Sequence, residues 1–414
     1  MEYGLIGERL GHSFSREVHA ALGDYPYELL ELAPDAVDGF MRARAFEAIN
    51  VTIPYKSTVI PYLDEIDDAA RAIGAVNTVK RVGDRLYGYN TDFRGLCDLV
   101  GRTGVDLHGL CVLILGSGGT AKTAQAVCRH LGAKEILTVS RTAGEGVITY
   151  ADAYEKYTDA DFILNTTPVG MYPKQDATPI DLSRFPRLLG VVDVIYNPAR
   201  TDLLLAARAR GIPAEGGLYM LVAQGVHASS IFTGKPIPPE KAEQVYRILA
   251  REKENIFLIG MPGSGKSTVG RRLAAVLGRP FLDIDEEIVR AVGKDIPAIF
   301  AESGEAAFRE IEARVLRETC LHTRGAVIAT GGGAILREEN VHAMRRVGRI
   351  YFLDRDIANI RPTADRPLSR DREALAARYR ERHPLYLQAA DCHLAPDEDI
   401  DRRIESIRKD FFAL

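Results

Sequence analysis

A chain of 414 residues is too long for one hydrophobic core, and at ~100–200 residues per domain it should hold two or three. Its 46% hydrophobic and 27% charged residues fit an ordinary soluble globular protein, and a net charge of −4 offers no basic face for nucleic acid or an anionic membrane. The five cysteines form no C-x-x-C pair, no basic-then-apolar leader opens the chain, and no stretch approaches the ~20 apolar residues of a membrane span, so a cytoplasmic protein with reduced thiols is expected.

Residues 1–100 alternate apolar runs with four polar clusters: "GHSFS", "NVTIPYK", "GAVNTV" and "YNTDFRG". Each cluster ends an apolar run, where strand-to-loop turns place binding groups. Any one alone reads as a cap or a turn. Together they bring hydroxyls (Ser13, Ser15, Thr52), amides (Asn50, Asn77, Asn90), one cation (Lys56) and one carboxylate (Asp92), a set suited to a small polyhydroxylated acid. A lysine near a carboxylate such as Asp92 can give a proton to an oxygen on which negative charge develops.

"CVLILGSGGTAKTAQAVCRHLG" then reads as strand, turn and helix. Gly116, Gly118 and Ala121 fit G-x-G-x-x-A, with Ser117, Gly119 and Thr120 completing the loop. The glycines allow a tight turn and close backbone approach to a pyrophosphate at a helix N-terminus, although a lone match also marks a merely packed strand–turn–helix. The next strand, "EILTVSRT", ends in Ser140, Arg141 and Thr142 instead of the acidic residue that would hold an NAD ribose. Arg141 can pair with a 2′-phosphate, so NADP is expected. The runs "DFILNTT" and "GVVDVIY", like those further on, are apolar strands between helices, which predicts parallel sheets covered on both faces.

"GKPIPPEKAEQVYRILAREKEN" sets Ala242, Val245, Tyr246 and Leu249 at helical spacing and closes a domain. The predicted domains are therefore 1–100, 101–253 and 254–414. The last opens with the strand "IFLI" and a full Walker A motif, Gly260-x-x-x-x-Gly265-Lys266-Ser267. In such a loop Gly263, Ser264, Gly265 and Thr268 wrap phosphates, Lys266 reaches the β and γ oxygens, and Ser267 binds Mg²⁺. Val269, Leu273, Val276 and Leu277 are expected to form the core face of the following helix. Downstream, "FLDIDEEI" is expected to set Asp283 and Asp285 on one side of a strand end. "EAAFREIE" offers Arg309, "ATGGGAIL" the glycines 331–333, "TADRPLSRDRE" a mobile lid, and "RERHPLY" Arg382.

About residues 1–250 resemble the shikimate dehydrogenase family. On that resemblance Ser13 and Ser15 hold the substrate carboxylate, Lys56 is the catalytic lysine with Asp92 its partner, and Asn77 and Thr52 contact substrate. "NTTPVGM", "DVIYNPARTDLL" and "GGLYMLVAQG" also match, which implies Tyr196 and Gln224 on the substrate and Val194, Gly217 and Met220 beside the cofactor. Arg16, Phe93 and Phe232 stand where the family usually has Pro, Gly and Trp. Residues 254–414 resemble shikimate kinase. There Asp283 lies near Mg²⁺ and Asp285 holds the acceptor hydroxyls. Arg309, Gly331, Gly332, Gly333 and Arg382 clamp shikimate, and Arg366 covers ATP from a lid shorter than usual.

The implied fold is α/β: an α/β substrate domain, a Rossmann NADP domain and a P-loop kinase domain. The implied function is NADPH-dependent reduction of 3-dehydroshikimate to shikimate, followed by ATP- and Mg²⁺-dependent phosphorylation of its 3-hydroxyl, adjacent steps of aromatic amino-acid biosynthesis. One alternative is an NAD-linked quinate/shikimate-type dehydrogenase fused to another small-molecule kinase, against which the Ser140–Thr142 end argues. The other is a nucleotide-sensing P-loop module, against which the acceptor set Asp285, Arg309 and Arg382 argues. Only small-molecule partners are expected; a homodimer is left open.

Overall fold

The first apolar run forms β1 (Tyr3–Gly7), joined in one sheet by β2 (Tyr27–Glu31), β3 (Ala48–Val51), β4 (Glu65–Ile66), β5 (Thr78–Val82) and β6 (Arg85–Tyr89). The order is β2-β1-β3-β5-β6-β4. The structure, a computed structural model, describes residues 1–11, 14–360, 372–396 and 398–412. The expectations for Ser13 and Arg366 lie outside the described residues. The chain divides into two compact units, Met1–Ile248 and Leu249–Leu414.

This first sheet is mixed, unlike the two that follow: β5 runs antiparallel to both β3 and β6. Only Gly83 and Asp84 separate β5 from β6, too short for the crossover that parallel pairing needs. Gly83 takes the positive φ (60°) of a two-residue hairpin turn.

The second sheet holds β7 (Cys111–Leu115), β8 (Glu135–Ser140), β9 (Val147–Thr149), β10 (Phe162–Asn165), β11 (Gly190–Asp193) and β12 (Ala214–Gly216). All pairs are parallel in the order β12-β11-β10-β7-β8-β9, the doubly wound arrangement of a dinucleotide fold. Side chains alternate between two buried faces. Leu113, Leu115, Ile163 and Val191 enter one apolar cluster, and Val112, Ile114, Phe162 and Val192 the other. That is why these strands read as unbroken apolar runs.

The second unit contains β13 (Asn255–Ile259), β14 (Phe281–Asp283), β15 (Val327–Ala329), β16 (Gly348–Leu353) and β17 (Cys392–Leu394), all parallel in the order β14-β15-β13-β16-β17. The helix after the Walker A loop, Lys266–Leu277, buries Val269, Leu273 and Ala274. Val276, expected in that face, is 61% exposed: it lies about 20° from Val269 around the helix but in its last turn. The helix Pro239–Lys253 buries Ala242, Val245 and Leu249 as its spacing predicts, and the division between units falls within it. All five cysteines are free thiols, and burial pushes Cys128 and Cys320 up to about 12.

Candidate active sites

Asn90 caps the helix Thr91–Arg102: its side-chain oxygen accepts from Phe93 N–H, and its amide donates to the Ala75 carbonyl at 2.8 Å. Asp92 thereby stands in the first turn, where the helix dipole favours an anion. Lys56 Nζ donates to Asp92 Oδ2 at 2.5 Å. The loop after β3 delivers that lysine, and the Lys56 carbonyl accepts from Val76 N–H at 2.8 Å. The two side chains are 30% and 21% exposed, so the pair opens to one side. An ammonium has three donors, which leaves capacity for a substrate oxygen.

Asn77 lies behind the pair, almost fully buried. Thr91 N–H donates to its Oδ1 at 2.7 Å, and its amide donates to Thr91 Oγ1 at 3.0 Å. The Thr91 hydroxyl reaches Gln224 Oε1 at 3.4 Å, so Asn77 and Gln224 are linked through a residue that sequence reasoning did not single out. Its signal was its place between Asn90 and Asp92. Gln224 belongs to the helix Leu218–Thr233. That helix packs so tightly on Thr91–Arg102 that a Cβ on Gly95 would stand 2.8 Å from the Met220 carbonyl. Met220 packs beside the cluster that includes Phe93 and Leu96. Ser15 is buried in the first turn of Ser15–Leu22, Thr52 follows β3, and Tyr196 is partly exposed with its ring edge-on to Phe14 at 5.6 Å. Phe232, in place of the usual Trp, stacks on Tyr3 and His19 at 5.5 Å, and Phe93 is buried edge-on to His130.

The Gly116–Ala121 loop leaves the end of β7, and Gly118 stands at the N-cap of the helix Gly119–His130. Gly116 has φ 101°, and a Cβ there would press on Thr166 and Thr167. Around Gly118 and Gly119, by contrast, nothing lies within 4 Å of where a Cβ would stand. Ser117 and Thr120 are exposed on the same turn, Ala121 is buried beneath it, and Ser140, Arg141 and Thr142 follow at the end of β8 with Arg141 exposed. Open backbone N–H groups at a helix N-terminus with an exposed guanidinium one strand away fit a phosphorylated dinucleotide. Val194 follows β11, and Gly217 donates its N–H to the Ile195 carbonyl at 3.0 Å.

Between β10 and β11 a buried carboxylate fixes this crevice. Asp193 Oδ1 accepts from Asn165 Nδ2 at 3.0 Å and from Ile195 N–H at 3.1 Å, and Oδ2 accepts from the Thr201 hydroxyl at 2.6 Å. Burial raises the Asp193 carboxyl to about 6, against the pull of Thr201, Ile195 and Asn165. Thr201 also caps the helix Asp202–Ala209. Thr201→Val should therefore lower stability by roughly 2–4 kcal/mol at pH 8, a charge-assisted hydrogen bond plus a cap. The lost donor served the ionised form, so the gap should narrow as pH falls through about 6, where wild-type Asp193 takes up a proton. The check is the urea transition that abolishes dehydrogenase turnover, at both pH values; a pH-independent gap would refute the account.

In the second unit, Lys266 Nζ donates to the Gly260 and Met261 carbonyls at 2.9 and 3.0 Å. Gly263 and Gly265 hold φ of 83° and 94°, Ser264 is buried in the loop, and Thr268 is exposed beyond it. The Ser267 hydroxyl donates to Asp283 Oδ2 at 2.5 Å. Asp283 and Asp285 do not share one side of a strand end, as the sequence reading had it. Asp283 ends β14 and caps the helix Ile284–Val292, accepting from Asp285 N–H at 3.1 Å, so Asp285 begins helical geometry. An N-cap replaced the alternation of a strand.

Arg309 sits on the helix Ile296–His322, beyond a break at Gly304. It donates to Glu312 at 2.6 Å and to Glu305 at 3.1 Å. Glu312 was not anticipated; its spacing of three from Arg309 in "FREIE" was the available signal. Burial raises the Glu312 carboxyl, although Arg309 pulls the other way. The triple glycine lies beneath these groups with no room for side chains. A Cβ on Gly331 would collide with Glu312, one on Gly332 with Pro262, and one on Gly333 with the Arg309 guanidinium. Arg382 Nη1 and the Tyr386 hydroxyl both donate to the Gly332 carbonyl, at 3.1 and 2.5 Å. A cavity of about 770 Å³ is lined by Gly263, Lys266, Ser267, Asp283 and Thr268 at one part and Asp285, Arg309, Glu312 and Arg382 at another. Arg355 and Arg378, also unanticipated, line it too. Glu312 Oε1, Arg309 Nε and Arg382 Nε are buried without hydrogen-bond partners among the described residues.

Comparison with known proteins bears on both units. Residues 5–79 match the family model for the shikimate dehydrogenase substrate binding domain. The NADP(+)-dependent shikimate dehydrogenase of Clostridium beijerinckii is 34% identical over 265 residues, covering 60% of this chain and 98% of that protein. The chain belongs to the shikimate dehydrogenase family. Among solved structures, a chorismate mutase/shikimate 5-dehydrogenase fusion protein from Clostridium acetobutylicum is 35% identical, with a TM-score of 0.56 over 60% of this chain and 96% of that one. The Thermus thermophilus shikimate 5-dehydrogenase in complex with NADP(H) and shikimate is 30% identical, with a TM-score of 0.53 over 60% of this chain and 99% of that one. Residues 262–410 match the family model for shikimate kinase, so a kinase domain follows the shikimate dehydrogenase part. Within that frame, the Lys56–Asp92 pair belongs to the dehydrogenase unit and the cavity around Lys266 to the kinase unit. No helix among the described residues is long and apolar enough to cross a membrane.

Proposed function

We propose that this bifunctional enzyme reduces 3-dehydroshikimate with NADPH at the Lys56–Asp92 pair and phosphorylates shikimate at the 3-hydroxyl in the Lys266 cavity. The observation that carries the reading is the cavity itself: phosphate-binding and acceptor-binding side chains line one space. A nucleotide sensor has no need of Asp285, Arg309 and Arg382 around that space.

In the dehydrogenase unit, bound NADPH supplies the hydride. Lys56 donates a hydrogen bond to the ketone oxygen and passes a proton to it as charge builds there. Asp92 holds the ammonium in place and balances its charge. Asn77 and Thr91, locked to each other, hold the hydroxyl-binding wall, with Gln224 closing it. Ser13 and Ser15 are the proposed holders of the substrate carboxylate, with Thr52 and Tyr196 beside the ring. Gly116–Ala121 holds the pyrophosphate and Arg141 the 2′-phosphate, with Ser140 and Thr142 beside it and Val194, Gly217 and Met220 near the nicotinamide.

In the kinase unit, ATP supplies the phosphoryl group. Lys266 and the loop N–H groups hold its β and γ oxygens. The oxygen pair of Ser267 and Asp283 suits a hard cation, and Mg²⁺ bound there would neutralise phosphate charge. Asp285 accepts the hydroxyl proton of shikimate. Arg309 and Arg382, each with a buried Nε to spare, hold its carboxylate. Arg366 is the proposed cover over ATP.

The test is one reaction containing the full-length chain, 3-dehydroshikimate, ATP and Mg²⁺, with NADPH or NADH. Mass-spectrometric product analysis should find shikimate 3-phosphate, formed faster with NADPH. Shikimate accumulating without its phosphate would overturn the kinase assignment, and unreduced substrate would overturn the dehydrogenase assignment.

A further inference from the structure

Three side chains away from the phosphate loop converge on one point. Asp354 stands directly after β16, His383 lies on the helix Arg372–Ala389, and His393 lies on β17. His383 Nε2 and His393 Nε2 approach the same carboxylate oxygen, Asp354 Oδ2, at 3.2 and 3.1 Å. The three ligand-capable atoms lie within 4.8 Å of one another. The other oxygen, Oδ1, is already occupied: the Tyr379 hydroxyl donates to it at 3.0 Å and Arg355 N–H at 2.8 Å. That division leaves Oδ2 facing the two imidazoles, with an outer pair of donors orienting the carboxylate. Metal-ligating carboxylates have this arrangement.

The ring planes are fixed as well. Phe352 stacks on His393 at 5.1 Å, meets His383 edge-on at 5.6 Å, and stacks on Tyr386 at 4.9 Å. Access is graded. The Asp354 side chain is 4% exposed, that of His383 28% and that of His393 40%, so a solvated ion could enter from the β17 side and retain water there.

We propose that Asp354, His383 and His393 form a binding site for one zinc-class divalent ion, with water as the fourth ligand. Two imidazoles, one carboxylate and an open position suit Zn²⁺ or Co²⁺ and exclude Mg²⁺, which prefers oxygen ligands. Zinc-to-ligand distances of ~2.0–2.2 Å place the ion between the three atoms after shifts of about 1 Å. Each neutral imidazole carries its proton on Nδ1 when it ligates and on Nε2 when it donates to Asp354, so binding exchanges two N–H···O contacts for coordinate bonds without changing ring charge. The ion would fasten the helix bearing Arg378 and Arg382 to the sheet edge. The site is therefore structural for the kinase unit and separate from the Mg²⁺ that Ser267 and Asp283 would hold.

The experiment titrates Co²⁺ into chelator-treated full-length protein, with Mg²⁺ and ADP saturating the phosphate loop. Expected is one equivalent of Co²⁺ with the visible absorption of a four-coordinate N/O site, and a raised thermal midpoint for kinase loss. His393→Ala and His383→Gln should abolish that spectrum while His342→Ala, a surface histidine elsewhere, keeps it. Tyr379→Phe, which removes only an orienting hydroxyl, should weaken binding ~10-fold. It also keeps the test open should a histidine variant fold poorly, which kinase turnover with Mg²⁺ and ATP would reveal. No stoichiometric Co²⁺, or binding that persists unchanged in His393→Ala and Tyr379→Phe, would show a purely hydrogen-bonded triad and overturn the proposal.

Discussion

Lys56→Ala is expected to lower dehydrogenase turnover by ~10²–10⁴-fold, the usual yield of a positioned general acid, and to leave kinase turnover unchanged. The variant deletes the only group in the Lys56–Asp92 pair that can hand a proton to the substrate oxygen. It also leaves Asp92 as an uncompensated anion facing that oxygen, so the loss should lie at the upper end of the range. The Lys56 backbone contact to Val76 survives truncation, and the helix cap at Asn90 does not involve the side chain, so the fold should hold. Steady-state NADPH oxidation reports the effect, and shikimate-dependent ADP formation by the same sample serves as the internal control. A variant that reduced 3-dehydroshikimate at near wild-type rate would remove Lys56 from the chemistry.

Asp285→Asn should have a comparable effect on the other activity. Asparagine is nearly isosteric and retains the backbone N–H that Asp283 accepts, so the helix start should persist. It cannot take a proton from a hydroxyl, and it adds an N–H₂ group where an acceptor is wanted. Shikimate phosphorylation should fall by ~10²–10⁴-fold in kcat. ADP affinity should be little changed, since Lys266 and Ser267 are untouched. A result confined to a higher KM for shikimate, with kcat preserved, would make Asp285 a binding group and not a base.

What the sequence made legible was local. Gly116-x-Gly118-x-x-Ala121 and the Walker A loop each compress strand, turn and helix into about a dozen residues, so the backbone they require is written beside the ligand they hold. The apolar runs of the second and third sheets were readable because both faces are buried. Contacts made across distance were not readable. Glu312 is one glutamate among many until the fold brings it against Gly331. Asp193 reads as the end of a strand, and only its burial with Asn165 and Thr201 makes it a keystone of the crevice. Val276 was misplaced because helix angle alone, which sets it beside Val269, does not say where along the helix the covering core ends. The hairpin of β5 and β6 was given no pairing in the sequence reading, although the two residues between the strands, Gly83 and Asp84, are too few to cross over a sheet.

The first sheet has a closing partner that arrives late. The Lys80 ammonium donates to the Phe232 carbonyl, 152 residues away along the chain, and the Tyr25 hydroxyl donates to Ser229, 204 residues away. Phe232 and Ala228 belong to the same apolar cluster as Leu5, Tyr27 and Ala48. At ~5–20 residues per second on the ribosome, roughly 10–40 s separate the emergence of Tyr25 from that of Ser229. For that interval one apolar face of the nascent sheet has nothing to cover it, while the dinucleotide sheet, whose strands all lie between Cys111 and Gly216, is being completed. The Rossmann half can mature as it is made, whereas the substrate half must wait for the helix Leu218–Thr233. During synthesis, then, the dinucleotide sheet is assembled before Lys56 acquires its finished surroundings.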